Sequence, residues 1–357
     1  MKEWKNDNYY YLPDDLQKYP DAWCYVVWSR RGAGKTYSAL RYALEEEIPV
    51  AYIKRTIDDV TLLCSGVSKG INLSPYVPIT RDSGINVEPQ LIGKGIGGFY
   101  NQFDDSGKPI GSPFSYCLAL NAMKTIKGFD LSICDWMLLD EFIPQAGEIV
   151  KHKEGEMLLD LYLTISRDRI QRGRGDLKLI LFANAENIST PITYELGIVD
   201  DMINLQSSGE THLYLEDRGI LLHRITDIDA PIEELSKSGI YKGMVGTAWF
   251  DKSFTGEFSN NDFSSIRKIN LKQYIPITGF TYKGQDTYIY NKDGYYYFSR
   301  SKNNTVQLYD LNKENDQKKF YYDFVIDLRV SCYEGYCSFE SYTMYDILIN
   351  YKNFFKL

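Results

Sequence analysis

Residues 23–36 read Trp23-Cys-Tyr-Val-Val-Trp-Ser-Arg-Arg-Gly-Ala-Gly-Lys-Thr36, and this stretch decides the fold of the segment around it. The apolar run from Trp23 to Trp28 is typical of a strand, and the pattern after Thr36 is typical of a helix. A glycine-containing turn that closes with Gly-Lys-Thr between a strand and a helix predicts a phosphate-binding loop. Backbone N–H groups of such a loop and the positive end of the following helix bind anions.

Each residue type in this loop has an expected task. Lys35 is expected to reach the β- and γ-phosphates of ATP, and the Thr36 hydroxyl is expected to hold Mg²⁺. The strict pattern has a glycine at position 29, where this chain has Ser29, but Gly32 and Gly34 still allow positive φ at two points. A chance glycine-rich turn is the alternative interpretation. The predicted nucleotide-binding residues are Ser29, Arg30, Arg31, Gly32, Ala33, Gly34, Lys35, Thr36 and Tyr37.

An acidic pair follows a second apolar run about 100 residues later. Residues 133–142 read Ile133-Cys-Asp-Trp-Met-Leu-Leu-Asp-Glu-Phe142, which predicts a buried parallel strand with Asp140 and Glu141 at its carboxyl end. Asp140 is the expected Mg²⁺ ligand, and Glu141 is expected to orient or deprotonate an attacking water. A water-activating glutamate argues against a small-molecule kinase.

A basic loop and a third buried strand come next. Four arginines within eight residues, Arg167 to Arg174, surround a glycine and predict an exposed loop. The loop is either a solvated run of charge or an arginine finger for the γ-phosphate of a neighbouring subunit. The strand predicted at Leu177–Asn184 ends in Asn184, which is either a turn residue or a side chain that positions the hydrolytic water.

Composition limits the classes of protein to which the chain can belong. The chain has 357 residues, of which 44% are apolar and 25% charged, and its formal net charge is −8. These values indicate a soluble globular protein, and the charge argues against a wholly basic nucleic-acid-binding surface. Six cysteines without a Cys-x-x-Cys pair and three histidines make a zinc site improbable, so reduced thiols in a cytosolic compartment are expected. The polar N-terminus shows no signal peptide.

The character of the sequence changes near residue 205. The predicted domains are residues 1–205 as an α/β domain, 206–262 as a linker subdomain and 263–357 as a small β-rich α+β domain. In the last segment, Lys292-Asp-Gly294 lies between alternating runs and predicts a hairpin. A closing helix is expected at about Tyr342–Tyr351. No convincing carboxylate triad for metal binding is visible there, so no nuclease activity is expected.

Together, four motifs resemble the genome-packaging ATPases of φ29-type tailed phages. The motifs are Arg31-Gly-Ala-Gly-Lys-Thr-Tyr, Leu138-Leu-Asp-Glu-Phe142, Thr164-Ile-Ser-Arg-Asp-Arg169 and Leu181-Phe-Ala-Asn-Ala185. The resemblance covers roughly residues 20 to 200 and is faint beyond Leu205. It implies an ASCE-class, RecA-like P-loop ATPase that forms a homopentameric ring at the capsid portal and drives double-stranded DNA inside. It also implies that the C-terminal domain has a degenerate RNase H-type fold.

The same resemblance implies residue roles beyond the two nucleotide motifs. Arg167 corresponds to a trans-acting arginine, Lys127 to a second trans-acting basic residue and Asn184 to the sensor strand. Arg172 to Asp176 looks like an insertion, so the finger assignment stays open between Arg167 and Arg169.

The predicted function is therefore an ATP- and Mg²⁺-dependent motor that translocates viral double-stranded DNA into a preformed capsid. Its expected partners are DNA, further copies of the chain and the capsid portal, with no membrane; a structural RNA is left open. The expected location is the host cytoplasm, docked on the prohead. The alternatives are another DNA-linked ring ATPase, such as a helicase loader or a segregation motor, and an assembly scaffold that binds ATP without hydrolysing it.

Overall fold

The structure is a computed structural model that describes residues 4–6, 8–65, 72–122, 126, 128–145, 148, 150–226, 228, 236–237, 239–244, 247, 258 and 261–355. The chain forms two compact units, Met1–Leu196 with Asn204–Asn260 and Gly197–Ile203 with Asn261–Leu357. Much of the predicted linker subdomain lies outside the described residues, so the three-part division of the chain stays a prediction.

The first unit contains a sheet of nine described strands in the order β3-β4-β5-β2-β6-β7-β1-β9-β8. The six central strands, β5 to β9 in this order, run parallel, and the strands at both edges run antiparallel. In chain order the strands are β1 (Cys24–Ser29), β2 (Val50–Lys54), β3 (Glu88–Gly93), β4 (Ile96–Tyr100), β5 (Ser115–Ala119), β6 (Trp136–Leu139), β7 (Lys178–Asn184), β8 (His212–Leu215) and β9 (Ile220–Arg224).

The central strands are apolar because helices cover a parallel sheet on both faces, so that each strand is buried on both sides. All residues of β1 and of β6 are buried. The helices of this part of the chain are α1 (Leu12–Lys18), α2 (Lys35–Glu45), α3 (Ile57–Ser65), α4 (Val77–Ser83), α5 (Glu154–Ser166), α6 (Pro191–Glu195), α7 (Val199–Ser208) and α8 (Gly239–Met244). The predicted α/β class of this unit is confirmed at the level of a mixed fold with a large, mostly parallel sheet.

The position of β7 in the sheet determines where the polar motifs meet. β7 lies between β1 and β6, with Ser29 opposite Asn184 and Leu139 opposite Leu181. Because these three strands run in the same direction, their carboxyl ends lie at one edge of the sheet. Open parallel sheets bind their ligands at this edge.

The segment between residues 72 and 113 contains one short helix. Val77–Ser83 forms this helix, α4. Pro78 lies in its first turn, and Gly84 ends it with φ 74°. A proline at the start and a glycine at the end are the usual bounds of a helix, and this pair outweighs the β-branched residues between them. After α4, β3 and β4 form an antiparallel pair at one edge of the sheet.

The second unit contains a sheet of five described strands in the order β13-β10-β11-β12-β14. The predicted hairpin is confirmed: β11 and β12 are antiparallel, and Asp293 and Gly294 form the turn with φ 51° and 85°. Two positive φ values in a two-residue loop match the twist of the flanking strands. The strands are β10 (Ile275–Tyr282), β11 (Gln285–Lys292), β12 (Tyr295–Ser299), β13 (Leu308–Asp310) and β14 (Cys337–Phe339), and the helices are α9 (Glu314–Phe320), α10 (Ile326–Tyr333), α11 (Tyr342–Ile349) and α12 (Tyr351–Phe354).

Aromatic residues form much of the core of this second unit. Phe298 and Phe339 are fully buried on adjacent strands, with ring centroids 4.6 Å apart. Tyr351, on the predicted closing helical segment, is also fully buried. The degenerate RNase H-type topology stays a prediction. Across the described residues, no helix combines the length and the apolar character that crossing a bilayer requires.

Candidate nucleotide-binding and catalytic site

The predicted phosphate-binding loop joins β1 directly to α2. Gly32 and Gly34 have φ of 82° and 81°, which are conformations that L side chains rarely adopt. Gly34 is the N-cap of α2 and provides no side-chain cap, so the first-turn N–H groups have no side-chain acceptor at the cap position. Amide groups at a helix N-terminus, together with the helix dipole, make this turn suited to phosphate.

The Lys35 side chain lies inside the loop and is only 8% exposed. Its ammonium donates to the Ser29 hydroxyl at 2.5 Å and lies 3.5 Å from the Arg30 carbonyl. It also lies 3.4 Å from Oδ1 of Asn184. Ser29, which replaces the usual glycine, therefore provides a hydroxyl that holds Lys35 at the carboxyl ends of β1 and β7.

Burial lowers the pKa of Lys35 to about 8, although the negative charges of Asp140 and Glu141 oppose this shift. Removing an ammonium group from water disfavours its charged form, and nearby carboxylates favour it. The lysine thus remains mostly cationic at neutral pH, as phosphate binding requires.

Thr36 and Asp140 form a direct contact between the phosphate-binding loop and the acidic pair. The Thr36 hydroxyl donates to Oδ2 of Asp140 at 2.6 Å. Burial raises the pKa of Asp140, while the hydrogen bond from Thr36 and the charge of Lys54 lower it. Lys54 was not predicted as a site residue. It ends β2, next to β6, so the rule that parallel strands end at one edge could have identified it.

The chemistry of this pair fits the predicted magnesium ion. A hydroxyl and a carboxylate are the hard oxygen donors that Mg²⁺ prefers, and Mg²⁺ usually takes few protein ligands and several waters. The two oxygens already lie within hydrogen-bond distance on one side of the loop.

Glu141 has a strained backbone immediately after Asp140. Its φ is 55°, and left-handed backbone in a residue other than glycine costs about 1–2 kcal/mol. The Glu141 N–H donates to Oδ1 of Asp140 at 3.0 Å, and Gln145 Nε2 lies 3.3 Å from Oε1 of Glu141. Such strain is concentrated at functional sites, where the surrounding structure maintains it. Here it turns the chain sharply and sets Glu141 beside the Asp140 carboxylate.

Arg169 is buried, and its guanidinium donates hydrogen bonds to four acceptors of its own subunit. The residue is 2% exposed. Its guanidinium donates to the carbonyls of Ser132 (2.8 Å) and Cys134, to the carbonyl of Gly175 (3.1 Å) and to Oδ1 of Asp135 (2.6 Å). A guanidinium held by its own subunit in this way does not suit a finger for another subunit. The geometry assigns Arg169 to fastening the arginine loop, which was not predicted.

Arg167 is exposed and caps the C-terminus of α5. The loop that carries it is fastened to residues 132–135, which precede β6, so it lies at the amino ends of the parallel strands. β7 alone spans seven residues between this edge and Asn184, or about 20 Å at ~3.3 Å per residue. Arg167 therefore lies too far from Lys35 of its own subunit to contact the same phosphate.

Three further predicted site residues are Arg31 and Ala33, which lie in the loop, and Lys127. Arg31 is 55% exposed and forms an ion pair with Glu186 at 3.7 Å, just beyond the end of β7. Ala33 is buried, and its carbonyl accepts from the Tyr10 N–H at 3.0 Å. Lys127 lies outside the described residues, so its role stays a prediction.

Comparisons with known proteins add information on the fold. No protein-family profile matches this chain, and no curated protein matches it. Two solved structures match almost the whole chain. One is described as "The Phi-28 gp11 DNA packaging Motor", with 17% identity, a TM-score of 0.62 and coverage of 99% of both chains. The other is described as "The bacteriophage Phi-29 viral genome packaging motor assembly", with 16% identity, a TM-score of 0.62 and coverage of 98% of this chain and 99% of that chain. At this identity the match establishes that the chain shares its fold with components of these two assemblies.

Proposed function

We propose that this chain is an ATPase that moves double-stranded DNA into a viral capsid as one subunit of a homo-oligomeric ring. One observation carries the ATPase part: Lys35, Thr36, Asp140 and Asn184 meet at one sheet edge within 2.6–3.4 Å contacts. The DNA-packaging part is supported by the fold shared with two chains described as parts of DNA packaging motors.

The topology supports the ASCE class of P-loop ATPases. The strand that ends in Asn184 lies between the strand of the phosphate-binding loop and the strand of the acidic pair. At the end of this additional strand, the Asn184 amide oxygen lies 3.4 Å from the Lys35 ammonium. This contact supports the proposal that Asn184 acts on the γ-phosphate together with Lys35.

Each side chain has a task in the proposed hydrolysis. Lys35 and the first-turn N–H groups of α2 bind the phosphates, and Thr36 and Asp140 are the groups that would hold Mg²⁺. When bound there, Mg²⁺ would supply positive charge against the charge that develops on the phosphate oxygens. Glu141 orients a water and accepts its proton as the water attacks the γ-phosphorus, while the bond from this phosphorus to the β,γ-bridging oxygen breaks and ADP leaves. Asn184 helps to position the water.

Arg167 acts on the site of a neighbouring subunit. Its exposure and its location at the opposite edge of the sheet agree with action in trans. An arginine supplied in trans can raise turnover by ~10³–10⁵. An isolated subunit should therefore hydrolyse ATP slowly, and turnover should rise as subunits assemble.

The test measures ATP turnover against protein concentration, with and without double-stranded DNA, for the wild type, Glu141→Gln and Arg167→Ala. Glu156→Gln, an exposed acid on α5, and Arg172→Ala, an exposed arginine of the same loop, are the matched controls. We expect turnover that rises with assembly and with DNA, and that collapses only in Glu141→Gln and Arg167→Ala. Turnover that does not change when DNA is added would favour a self-contained NTPase. ATP binding without turnover would favour an assembly scaffold.

A further inference from the structure

A cavity lies beside the phosphate-binding loop, and neither Asp140 nor Glu141 lines it. Its volume is about 400 Å³, within the range of small-molecule sites. Its walls come from the loop, from the start of α2, from the N-terminal segment of the chain and from α4, which contributes Pro78, Arg81 and Asp82. The wall residues that matter here are Trp4, Tyr9, Gly34, Tyr37, Ser38 and Asp82.

We infer that this cavity binds the purine base of the nucleotide whose phosphates lie on the loop. The inference rests on the proposed function, because it needs a nucleotide at Lys35. Thr36 points to Asp140, whereas the next residue, Tyr37, lines the cavity. Tyr37 is the third residue of α2, so its N–H is one of the first four of the helix, which have no intrahelical acceptor. A base attached to phosphates on these N–H groups would therefore lie close to the cavity wall that Tyr37 lines.

The aromatic walls are fixed in place before any ligand binds. The Tyr37 hydroxyl accepts from Arg41 at 2.5 Å and donates to Asp82 at 3.0 Å. The Arg41 guanidinium also lies over the Trp4 ring, 4.8 Å from its centroid, and Trp4 meets Tyr37 edge to face at 6.2 Å. A stacking surface that is already ordered loses little conformational entropy when a flat ligand binds.

Tyr9 closes the cavity next to the loop itself. A Cβ built on Gly34 would lie 3.3 Å from Cδ1 of Tyr9, so the tyrosine ring packs directly on the loop backbone. Two backbone contacts hold this segment there. The Tyr10 N–H donates to the Ala33 carbonyl at 3.0 Å, and the Leu12 N–H donates to the Ser38 hydroxyl at 2.9 Å. The N-terminal segment is thus built into the nucleotide site.

The chemistry of the cavity suits a base. Aromatic side chains dominate its wall near the loop. The two charged wall residues, Arg81 and Asp82, form an ion pair at 2.9 Å, so the guanidinium of Arg81 is already paired. Stacking of a base on an aromatic side chain strengthens binding by about fivefold to more than 100-fold per contact. Tyr9 and Tyr37 are the residues expected to provide that stacking.

The first experiment compares binding of ATP and of inorganic tripolyphosphate to the full chain by calorimetry in the presence of Mg²⁺. Tyr9→Leu and Tyr37→Leu should weaken ATP binding about tenfold or more and leave tripolyphosphate binding unchanged, whereas Tyr37→Phe should keep most of the ATP affinity. Tyr322→Leu, an exposed tyrosine at 73% exposure, is the matched control. Equal losses for both ligands, or no loss for ATP, would overturn the inference.

A second measurement needs no variant and therefore does not depend on folding of the mutants. The wild type is photolabelled with 8-azido-ATP, and the modified peptide is identified by mass spectrometry. Label on Trp4, Tyr9 or Tyr37 supports the assignment, and label confined to another segment overturns it. If ATP binds here but Glu141→Gln hydrolyses ATP as the wild type does, the proposed function fails while the base site stands.

Discussion

The Thr36 hydroxyl donates to Oδ2 of Asp140 at 2.6 Å, although 104 positions separate the two residues in the chain. This contact joins the phosphate-binding loop to the acidic pair, and it places both proposed magnesium ligands side by side. We predict that Asp140→Asn lowers ATP turnover on the order of 10² or more, because a neutral amide is a poorer ligand for Mg²⁺ than a carboxylate. Turnover measured against Mg²⁺ concentration checks this, with Asp160→Asn on α5 as the control. An unchanged Mg²⁺ dependence would contradict the assignment.

Substitutions of Arg167 and Arg169 should affect different properties. Loss of Arg167 should lower assembly-dependent turnover, and loss of Arg169 should lower folding stability. Arg169→Ala removes the donor of the Cys134 carbonyl and the closer donor of the Ser132 carbonyl, so we expect a loss of about 2–4 kcal/mol in the free energy of unfolding. Arg167→Ala removes an exposed side chain, so its effect on stability should stay within ~0.5 kcal/mol. Denaturant titration measures both. If Arg167→Ala were the destabilising variant, the roles assigned to the two arginines would have to be exchanged.

Nucleotide affinity should depend on pH through Lys35. Burial lowers the pKa of this lysine to about 8, and the charges of Asp140 and Glu141 partly oppose the shift. The ammonium form binds phosphate, so affinity should be highest below pH 8. Above that value it should fall by up to about tenfold per pH unit. Calorimetric Kd values for ATP between pH 7 and 9.5 check this. Lys35→Gln should bind weakly at every pH, and an equally steep profile in that variant would contradict the assignment to Lys35.

Two glycines with positive φ provide a matched pair of substitutions. Gly34→Ala and Gly84→Ala both force alanine into left-handed backbone, at a cost of about 1–2 kcal/mol. A Cβ at Gly84 meets nothing within 4 Å, whereas a Cβ at Gly34 lies 3.3 Å from Tyr9. Similar losses of stability are therefore expected, but only Gly34→Ala should weaken ATP binding. Equal Kd values for the two variants would show that the loop tolerates displacement of Tyr9.

A buried carboxylate should make stability depend on acid pH. Burial alone would raise the pKa of Asp15, but hydrogen bonds from His212, His223 and Tyr10, together with the nearby charge of His223, hold it well below its ordinary value. The closest contacts are 2.7 Å from Oδ2 to both Tyr10 and His223. Because the folded pKa is depressed, the stabilisation is fully present above the unfolded pKa of about 3.9 and is lost as pH falls below it.

The corresponding experiment compares the wild type with Asp15→Asn across pH. At pH 7 the variant should be less stable by about 2–3 kcal/mol, since charged hydrogen bonds are replaced by neutral ones in a buried position. The difference should shrink as pH falls below about 4. Asp14→Asn, the neighbouring and less buried acid, is the control. A difference that stayed constant between pH 3 and 7 would show that the charge of Asp15 is not the cause.

The local motifs could be predicted because each depends on residues that are close together in the chain. The apolar run before Ser29, the glycines of the loop and the run before Asp140 define strands and turns through short-range rules of burial and backbone conformation. The same rules placed Asn184 at a strand end and the hairpin turn at Asp293 and Gly294. Local signals also mark α4, because Pro78 lies in its first turn and Gly84 ends it.

The choice among arginines and the wall of the base cavity depended on contacts between distant segments. Sequence alone left the finger assignment open between Arg167 and Arg169, because the segment from Arg172 to Asp176 looks like an insertion. The fold buries Arg169 against residues 132–135 and leaves Arg167 exposed. Similarly, the packing of Tyr9 on Gly34 arises only when the N-terminal segment folds back on the loop. Local patterns thus identified the groups that carry the proposed chemistry, while side-chain packing between remote segments decided which of them are buried, which are exposed and which face the same ligand.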